Sequence, residues 1–146
     1  SEHTNVGING FQAPFPIRAA IGPRYKLIRN LAPQNRFDIG GMRNSASFQS
    51  WRALAVQDDD RAKNRVRRIE DRPAEEFYDL QTDPFELTNL ALFAAPDPSL
   101  DEERLKLARS LGAWMEQQGD RGMPTELAAR SRQNRGRKKA AGKKTR

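Results

Sequence analysis

Few residues of this chain have side chains that could carry out chemistry. His3 is the only histidine, and the chain contains no cysteine. The lack of cysteine excludes disulfides, thiolate chemistry and cysteine-ligated zinc. A histidine can donate and accept hydrogen bonds, which makes His3 a candidate site residue. A lone histidine is by default a structural or solvated residue, however, and the residue itself leaves both interpretations open.

Three consecutive acids, Asp58 to Asp60, could be taken for a metal cluster. Three adjacent positions on a helix cannot all point inward, and sites for hard cations draw spaced ligands from several segments. The pattern instead predicts the N-terminus of a helix that runs to about Ile69, because the later turns carry arginines and the helix dipole favours that polarity. We therefore predict an electrostatic role for these acids and no metal site in this chain.

The basic charge of the chain is concentrated in its last residues. The net charge is +7, but residues 130–146 contain nine lysines and arginines and no acid, which leaves a net charge of −2 on residues 1–129. This segment has no apolar face, so we predict a disordered basic tail after one folded domain at residues 1–129. Weak binding of nucleic acid, an anionic glycan or a membrane surface would suit such a tail equally. A solvated tail without a partner is an equal alternative.

The elements that would position any site begin with a small sheet. Residues 17–31 alternate polar and apolar on either side of Gly22-Pro23, which predicts a β-hairpin. The polar side chains of this hairpin, Arg18, Arg24 and Lys26, are predicted to form mostly a solvated strand face. A third strand is predicted over residues 76–80, where Phe77 and Tyr78 suit a pleated surface.

A long helix is predicted over residues 100–118. A capping box at Ser99 and Glu102 would begin it, and Gly119 would end it. Its apolar stripe includes Leu111 and Trp114 and should pack across one face of the sheet. The sequence therefore predicts an α+β fold with a small antiparallel sheet of three or four strands. No run approaches the length of about 18 apolar residues that spans a membrane.

The connections are predicted from turn chemistry and spacing. Residues 1–16 and 34–45 are rich in glycine or polar residues and are predicted to be loops. Asp83-Pro84 should turn the chain, so that Phe85, Leu87 and Leu90 can fold back over the third strand. An aromatic pair at helical spacing predicts one more short helix with both rings in the core, and the pair consists of Phe48 and Trp51.

Three stretches of the chain resemble the C-terminal region of sulfatases. Residues 72–91 read RPAEEFYDLQTDPFELTNLA, similar to the family form R-P-x-E-E-L-Y-D-L-x-x-D-P-x-E-x-x-N-L-A. Residues 15–33 read FPIRAAIGPRYKLIRNLAP, similar to x-P-I-R-x-V-R-x-x-R-Y-K-Y-I-x-N-L-x-P. Residues 114–126 read WMEQQGDRGMPTE, similar to W-M-x-x-x-G-D-x-G-x-x-T-E of heparan-type N-sulfatases. The resemblance spans roughly residues 3–127.

The resemblance implies that this chain is one part of a larger, alkaline-phosphatase-like enzyme. In sulfatases the N-terminal domain holds a calcium ion and a formylglycine nucleophile, which is made from the first residue of a C/S-x-P-x-R motif. This chain has no cysteine and no S-x-P-x-R motif, so we predict that it is inactive alone. The implied function is that of the C-terminal subdomain of a sulfatase that acts on sulfated sugars such as N-sulfated glucosamine. The missing N-terminal domain would be its partner, and members of the family are usually exported.

The resemblance also assigns a role to His3. Residues 2–8 read EHTNVGI, similar to the family stretch H-T-T-R-G-I, which lies beside the active-site cleft and reaches the sugar. Asn5 and Val6 replace the threonine and the arginine of that pattern. His3 is accordingly predicted to bind substrate, and no catalytic residue is assigned to this chain. The alternative function is a stand-alone module that binds an anionic polymer through its basic tail.

Overall fold

The computed structural model of the chain describes residues 2–3, 15–37, 40–93 and 97–128. The fold is α+β, as predicted, with one antiparallel sheet of four strands in the order β1-β2-β3-β4. The tail predicted over residues 130–146 and most of the loop predicted over residues 1–16 lie outside the described residues. The strands are β1 (Glu2–His3), β2 (Ile17–Ile21), β3 (Tyr25–Asn30) and β4 (Glu75–Asp79).

The helices fall into two groups, one inserted between β3 and β4 and one after β4. The first group is α1 (Gly40–Arg43), α2 (Ala46–Val56) and α3 (Asp60–Glu70). The second group is a 3₁₀ helix (Leu90–Leu92), α4 (Pro98–Gln117) and α5 (Met123–Leu127). Among the described residues, no helix has both the length and the apolar character needed to cross a bilayer.

The predicted hairpin is confirmed as β2 and β3. Its turn is closed by the amide of Gly22, which donates to the carbonyl of Tyr25 over 2.8 Å. The register brings Ala20, Leu27 and Phe77 side by side across β2, β3 and β4. Leu27 and Phe77 are almost completely buried, and the Phe77 ring stacks on Tyr25 at a centroid distance of 5.2 Å. Since side chains opposite each other share one face of a sheet, these residues form the core under α4.

Helix α4 packs over β2 and β3, as the apolar stripe predicts. Leu111 is 2% exposed, whereas Trp114 is 37% exposed, so its predicted place in the core is wrong. The predicted capping box is also wrong. The helix begins two residues earlier than predicted, at Pro98, because Asp97 is the N-cap and accepts the Ser99 amide over 2.9 Å.

The predicted end of α4 at Gly119 is confirmed. Gly119 has a φ of 64°, a left-handed conformation that glycine adopts without a steric penalty. The amide of Gly119 donates to the carbonyl of Glu116 over 3.0 Å, and the amide of Asp120 donates to that of Met115 over 2.8 Å. These two bonds form a Schellman motif, which turns the chain off the helix axis and back toward the sheet.

Three further differences concern the connections. In the loop predicted over residues 34–45, Gly40–Arg43 instead forms helix α1. The sequence predicts that Phe85 and Leu87 fold over the third strand, but they are 80% and 52% exposed. Leu90, which opens the 3₁₀ helix packed against β4, is half-buried as predicted. In the predicted N-terminal loop, Glu2–His3 instead forms a short edge strand that pairs with β2.

Candidate functional site

The stretch at residues 72–91 contains strand β4, and the polar side chains of β4 form hydrogen bonds with other parts of the protein. The Glu76 carboxylate is buried and accepts the Tyr78 hydroxyl and the Asn30 side-chain amide, each over 2.6 Å. Burial, and next the hydrogen bond to Glu76, raise the pKa of the Tyr78 hydroxyl well above its ordinary value. Asn30 also donates to the carbonyl of Pro73 over 2.6 Å, which ties β3 to the start of the stretch. These contacts stabilise the fold and keep Tyr78 protonated.

The next polar residue, Asp79, closes the hairpin from the end of β4. Its carboxylate accepts the Arg24 Nη2 group over 2.6 Å and the Arg24 Nε group over 3.1 Å. It also accepts the amide of Gln81 over 3.0 Å. The hydrogen bond from Arg24 is the main reason that the pKa of Asp79 falls to about 2. Asp79 is therefore an ionised anchor at neutral pH rather than a proton donor.

The Asp79 pKa gives the first testable prediction. A carboxyl whose pKa is lowered in the folded state stabilises the protein above its unfolded pKa, and this stabilisation is lost as the pH falls through the folded pKa. Asp79→Asn should therefore lower the free energy of unfolding by about 1–2 kcal/mol at pH 6, a figure reduced because solvent screens the half-exposed Arg24. The difference from wild type should shrink between pH 4 and pH 2, from the ordinary value of 3.8 toward about 2.

Urea denaturation across that pH range measures the difference. Asp58→Asn is the matched control, because the Asp58 side chain is 90% exposed and its pairing with Lys63 lies on the surface. The control should differ little from wild type at pH 6, because exposed pairs contribute about 0–1 kcal/mol. A constant difference between Asp79→Asn and wild type from pH 6 to pH 2 would contradict the assignment.

After β4, two polar side chains hold the backbone of the connection. The pKa of Asp83 is lowered mainly by the hydrogen bond from the amide of Leu87 and next by that from the amide of Thr88, which Asp83 accepts over 2.7 Å. Asn89 accepts the amide of Phe77 over 2.8 Å and donates to the carbonyl of Glu75 over 3.1 Å. The predicted turn at Asp83 is confirmed, but the return to the strand is made by Asn89 and not by Phe85 or Leu87.

The stretch at residues 114–126 meets the hairpin through Arg18. Arg18 is fully buried, so its predicted place on a solvated strand face is wrong. Its guanidinium donates to Asp120 through Nε and Nη2, and to Glu126 through Nη2 over 2.8 Å. The bond from Arg18 is the main reason that the pKa of Asp120 is lowered. We call Arg18, Asp120 and Glu126 the buried ion triad.

The remaining matched residues of that stretch shape its backbone around the buried ion triad. Gly122 has a φ of 70°, and its amide donates to Asp120 over 2.9 Å. The Thr125 hydroxyl accepts the amide of Arg121 over 2.7 Å. With Gly119 in its left-handed conformation, the pattern G-D-x-G-x-x-T-E is thus explained position by position as a turn that delivers two carboxylates to Arg18.

The acid run at residues 58–60 has the predicted electrostatic role. Asp59 is the N-cap of α3 and accepts the amide of Ala62 over 2.8 Å, and Asp60 lies in the first turn. Asp58 pairs with Lys63 at the surface. Within the described ranges, no three His, Cys, Asp or Glu side chains are grouped so that they could hold a metal ion.

One concave surface of the described residues is a groove of about 880 Å³. Its floor includes Glu76 and Tyr78, which alternate along β4 with the α4-facing Phe77. One wall comes from α3 and the other from the segment after β4. The groove therefore lies on the side of the sheet opposite α4. The side chains along its walls are mainly arginines and apolar residues, namely Trp51, Arg65, Arg67, Arg68, Ile69, Arg72, Phe85, Leu87, Leu92 and Phe93.

His3, the predicted substrate-binding residue, lies at the edge of the sheet. Its backbone pairs with Ile17, and Glu2 pairs with Arg18 of the buried ion triad. The edge strand that carries His3 is thus hydrogen-bonded to the strand that the triad holds in place. The groove residues lie on other elements, so the structure does not unite His3 and the groove in one described site.

Arg18 is the residue whose role the sequence analysis missed. Its position in a strand with alternating pattern gave it the same appearance as Arg24 and Lys26. The available signal was the pair of acids, Asp120 and Glu126, in a turn that also carries two glycines. Acids at such a spacing beyond the end of a helix need a cationic partner when they are buried.

Comparison with curated proteins supports a sulfatase-related region in this chain. A stretch of 111 residues is 34% identical to a sulfatase, and it covers 73% of this chain. That relative is the ulvan-active sulfatase of Formosa agariphila, of which the matched region makes up 18%. The chain thus spans less than a fifth of the length of this relative. No protein-family model matches the chain.

Proposed function

We propose that this chain is the C-terminal part of a sulfatase, a hydrolase of sulfuric esters or sulfamates that acts on sulfated sugars. The proposal rests on how the three stretches that resemble sulfatases are connected. They meet at one sheet, through the contacts of Glu76 and Asp79 and through the buried ion triad. Their polar residues are used for the fold. This arrangement supports a scaffold that completes a larger enzyme rather than a catalytic centre of its own.

The resident groups of the reaction would belong to the rest of that enzyme. Calcium needs several oxygen ligands grouped around one point. The buried carboxylates of the described residues do not fit such a site. Each of four is bonded to an arginine, namely Glu70, Asp79, Asp120 and Glu126. The fifth, Glu76, accepts bonds from Asn30 and Tyr78. We therefore assign calcium and the formylglycine nucleophile to the part outside this chain and derive no step through them here.

Two sulfated substrates are proposed. The resemblance of residues 114–126 to heparan-type N-sulfatases favours N-sulfated glucosamine. Ulvan is the second candidate, because the relative of Formosa agariphila is named for activity on ulvan. Both candidates are tested together with a simple aryl sulfate. Hydrolysis is expected from a longer polypeptide that contains this chain. The purified 146-residue chain should hydrolyse none of the three, with or without added calcium.

Two results would contradict this proposal. One is turnover by the purified 146-residue chain. The other is a coding region in which no C/S-x-P-x-R motif is encoded in frame upstream. The second result would favour the alternative module, which binds an anionic polymer through residues 130–146.

His3 is proposed to bind the sugar or sulfate group and to position it for attack. His3→Ala in the longer enzyme should lower kcat/KM by about tenfold to a hundredfold, which corresponds to about 1.4–2.7 kcal/mol. The melting temperature should stay unchanged, because β1 contributes only two residues to the edge of the sheet. Steady-state kinetics and thermal unfolding measured on the same variant separate substrate positioning from a structural role.

The control for this measurement is Glu2→Gln, the neighbouring substitution in β1, which should leave kcat/KM unchanged. Unchanged kcat/KM in His3→Ala would remove His3 from the site. A lower melting temperature with unchanged kinetics would instead assign His3 a structural role.

A further inference from the structure

The two faces of the sheet pack against different elements of the described structure. Helix α4 packs on the face that carries Leu27 and Phe77. The opposite face, at Glu76 and Tyr78, is the floor of the groove of about 880 Å³. Glu76 and Tyr78 are themselves only 6% and 5% exposed, so the solvent-exposed surface of the groove belongs to its walls.

The wall after β4 presents a cluster of apolar side chains to solvent. Phe85 and Leu87 are 80% and 52% exposed, and Leu92 and Phe93 are 65% and 62% exposed. All four line the groove. An apolar cluster of this kind at a concave surface marks a protein interface more often than ordinary solvent exposure.

This wall is held in a defined shape without any occupant. Asp83 and Asn89 bond the backbone at both ends of the segment. Between them, Glu86 pairs with Lys26 over 2.7 Å, and the carbonyl of Glu86 accepts a bond from Arg68. The apolar side chains are thus exposed because their backbone is fixed there, which makes the surface preorganised for docking.

The opposite wall supplies positive charge. Arg65 lies over the Trp51 ring at 5.3 Å, and among the described residues neither Arg65 nor Arg67 has a carboxylate within ion-pair distance. The buried Nε of Arg72 also has no acceptor within the described part of the chain. Three acids also line the groove, of which Glu76 and Glu86 already have partners and only Asp71 is left to offset these arginines. A partner that binds here should therefore bring carboxylates or carbonyl oxygens.

We propose that the groove is the docking surface for the larger part of the sulfatase polypeptide, through a face that combines apolar side chains with acidic ones. This inference rests on the proposed function. The match covers only 18% of the relative, so a sulfatase of that length would supply a much larger portion to dock here. A sugar would leave the four exposed apolar side chains uncovered.

The test introduces a charge on the apolar wall in two contexts. Phe85→Asp and Leu87→Asp are made in the 146-residue chain and in the longer polypeptide. The melting temperature of the 146-residue chain should not change, because both side chains are solvent-exposed there. In the longer polypeptide, limited proteolysis should separate this chain from the rest about tenfold faster or more, because docking would bury the new carboxylates.

The matched control is Val56→Asp, at a residue that is 88% exposed on α2 and outside the groove lining. It should leave the proteolysis rate unchanged. If Phe85→Asp and Leu87→Asp behave like this control in the longer polypeptide, the docking proposal is overturned. A dimer of the 146-residue chain that Phe85→Asp dissociates would also overturn it, by making a second copy the occupant.

The proteolysis assay needs no sulfatase activity, so the two proposals can fail separately. A longer polypeptide that hydrolyses sulfate esters but shows no effect of Phe85→Asp retains the function and refutes the docking surface. A polypeptide that shows the proteolysis effect but hydrolyses no sulfated compound refutes the function and supports the surface.

Discussion

Arg18→Leu should lower the free energy of unfolding by about 3–5 kcal/mol, one of the two largest effects that we expect in this chain. The substitution removes the cation from the buried ion triad and leaves Asp120 and Glu126 as two carboxylates, 4% and 1% exposed, without their partner. A buried charge without compensation costs far more than the loss of an exposed pair. Urea denaturation monitored by circular dichroism measures the change.

The control is Arg29→Leu, the same substitution in the paired strand β3. Arg29 is directly opposite Arg18, but its side chain is 38% exposed and lies 3.7 Å from Glu75. Exposed pairs contribute about 0–1 kcal/mol, so this variant should unfold almost as the wild type does. Adding Asp120→Asn and Glu126→Gln to Arg18→Leu should recover part of the loss. A wild-type free energy of unfolding in Arg18→Leu would refute the triad.

Leu111→Ala should cost about 2–5 kcal/mol, the second large effect. Leu111 is the residue of α4 that is buried most completely, and α4 packs on β2 and β3. Truncation to alanine removes apolar contact and leaves a cavity between the helix and the sheet, and both changes lower the free energy of unfolding. Equilibrium unfolding in urea gives the value directly.

Leu105→Ala is the matched control on the same helix, because Leu105 is 44% exposed. It should cost about 1 kcal/mol or less, since little apolar area returns to water. Equal losses from Leu105→Ala and Leu111→Ala would mean that α4 is rotated relative to the packing described above. The pair of variants therefore tests the orientation of the helix as well as its contribution to stability.

In the stretches that resemble sulfatases, most of the matching residues stabilise the fold. In residues 72–91, Asp79 and Asp83 fix the strand end and the turn, and Asn89 ties the return segment to β4. In residues 114–126, the glycines, Asp120 and Glu126 build the turn around Arg18. A match to such stretches thus indicates shared architecture, and the chemistry must be argued from a site that contains the reacting groups.

The sequence by itself determined the elements that depend on local physics. The hairpin follows from alternation around Gly22-Pro23, since a strand has a period of two residues. The end of α4 follows from Gly119, because few other residues adopt the left-handed conformation of a helix C-terminus. The position of α3 follows from Asp59 and the arginines behind it, which cap and complement the helix dipole. Each of these signals lies within a few residues of the feature that it predicts.

Only the tertiary structure decided which of these side chains are buried. Arg18 lies in the same alternating pattern as Arg24, yet it is buried because Asp120 and Glu126, 102 and 108 residues away, reach it. Trp114 shares the apolar stripe with Leu111, yet it is 37% exposed whereas Leu111 is 2% exposed. Phe85 and Leu87 were predicted to cover β4, but the bonds of Asp83 and Asn89 hold their segment as a wall of the groove instead. Burial depends on contacts between distant segments, and a local pattern does not contain them.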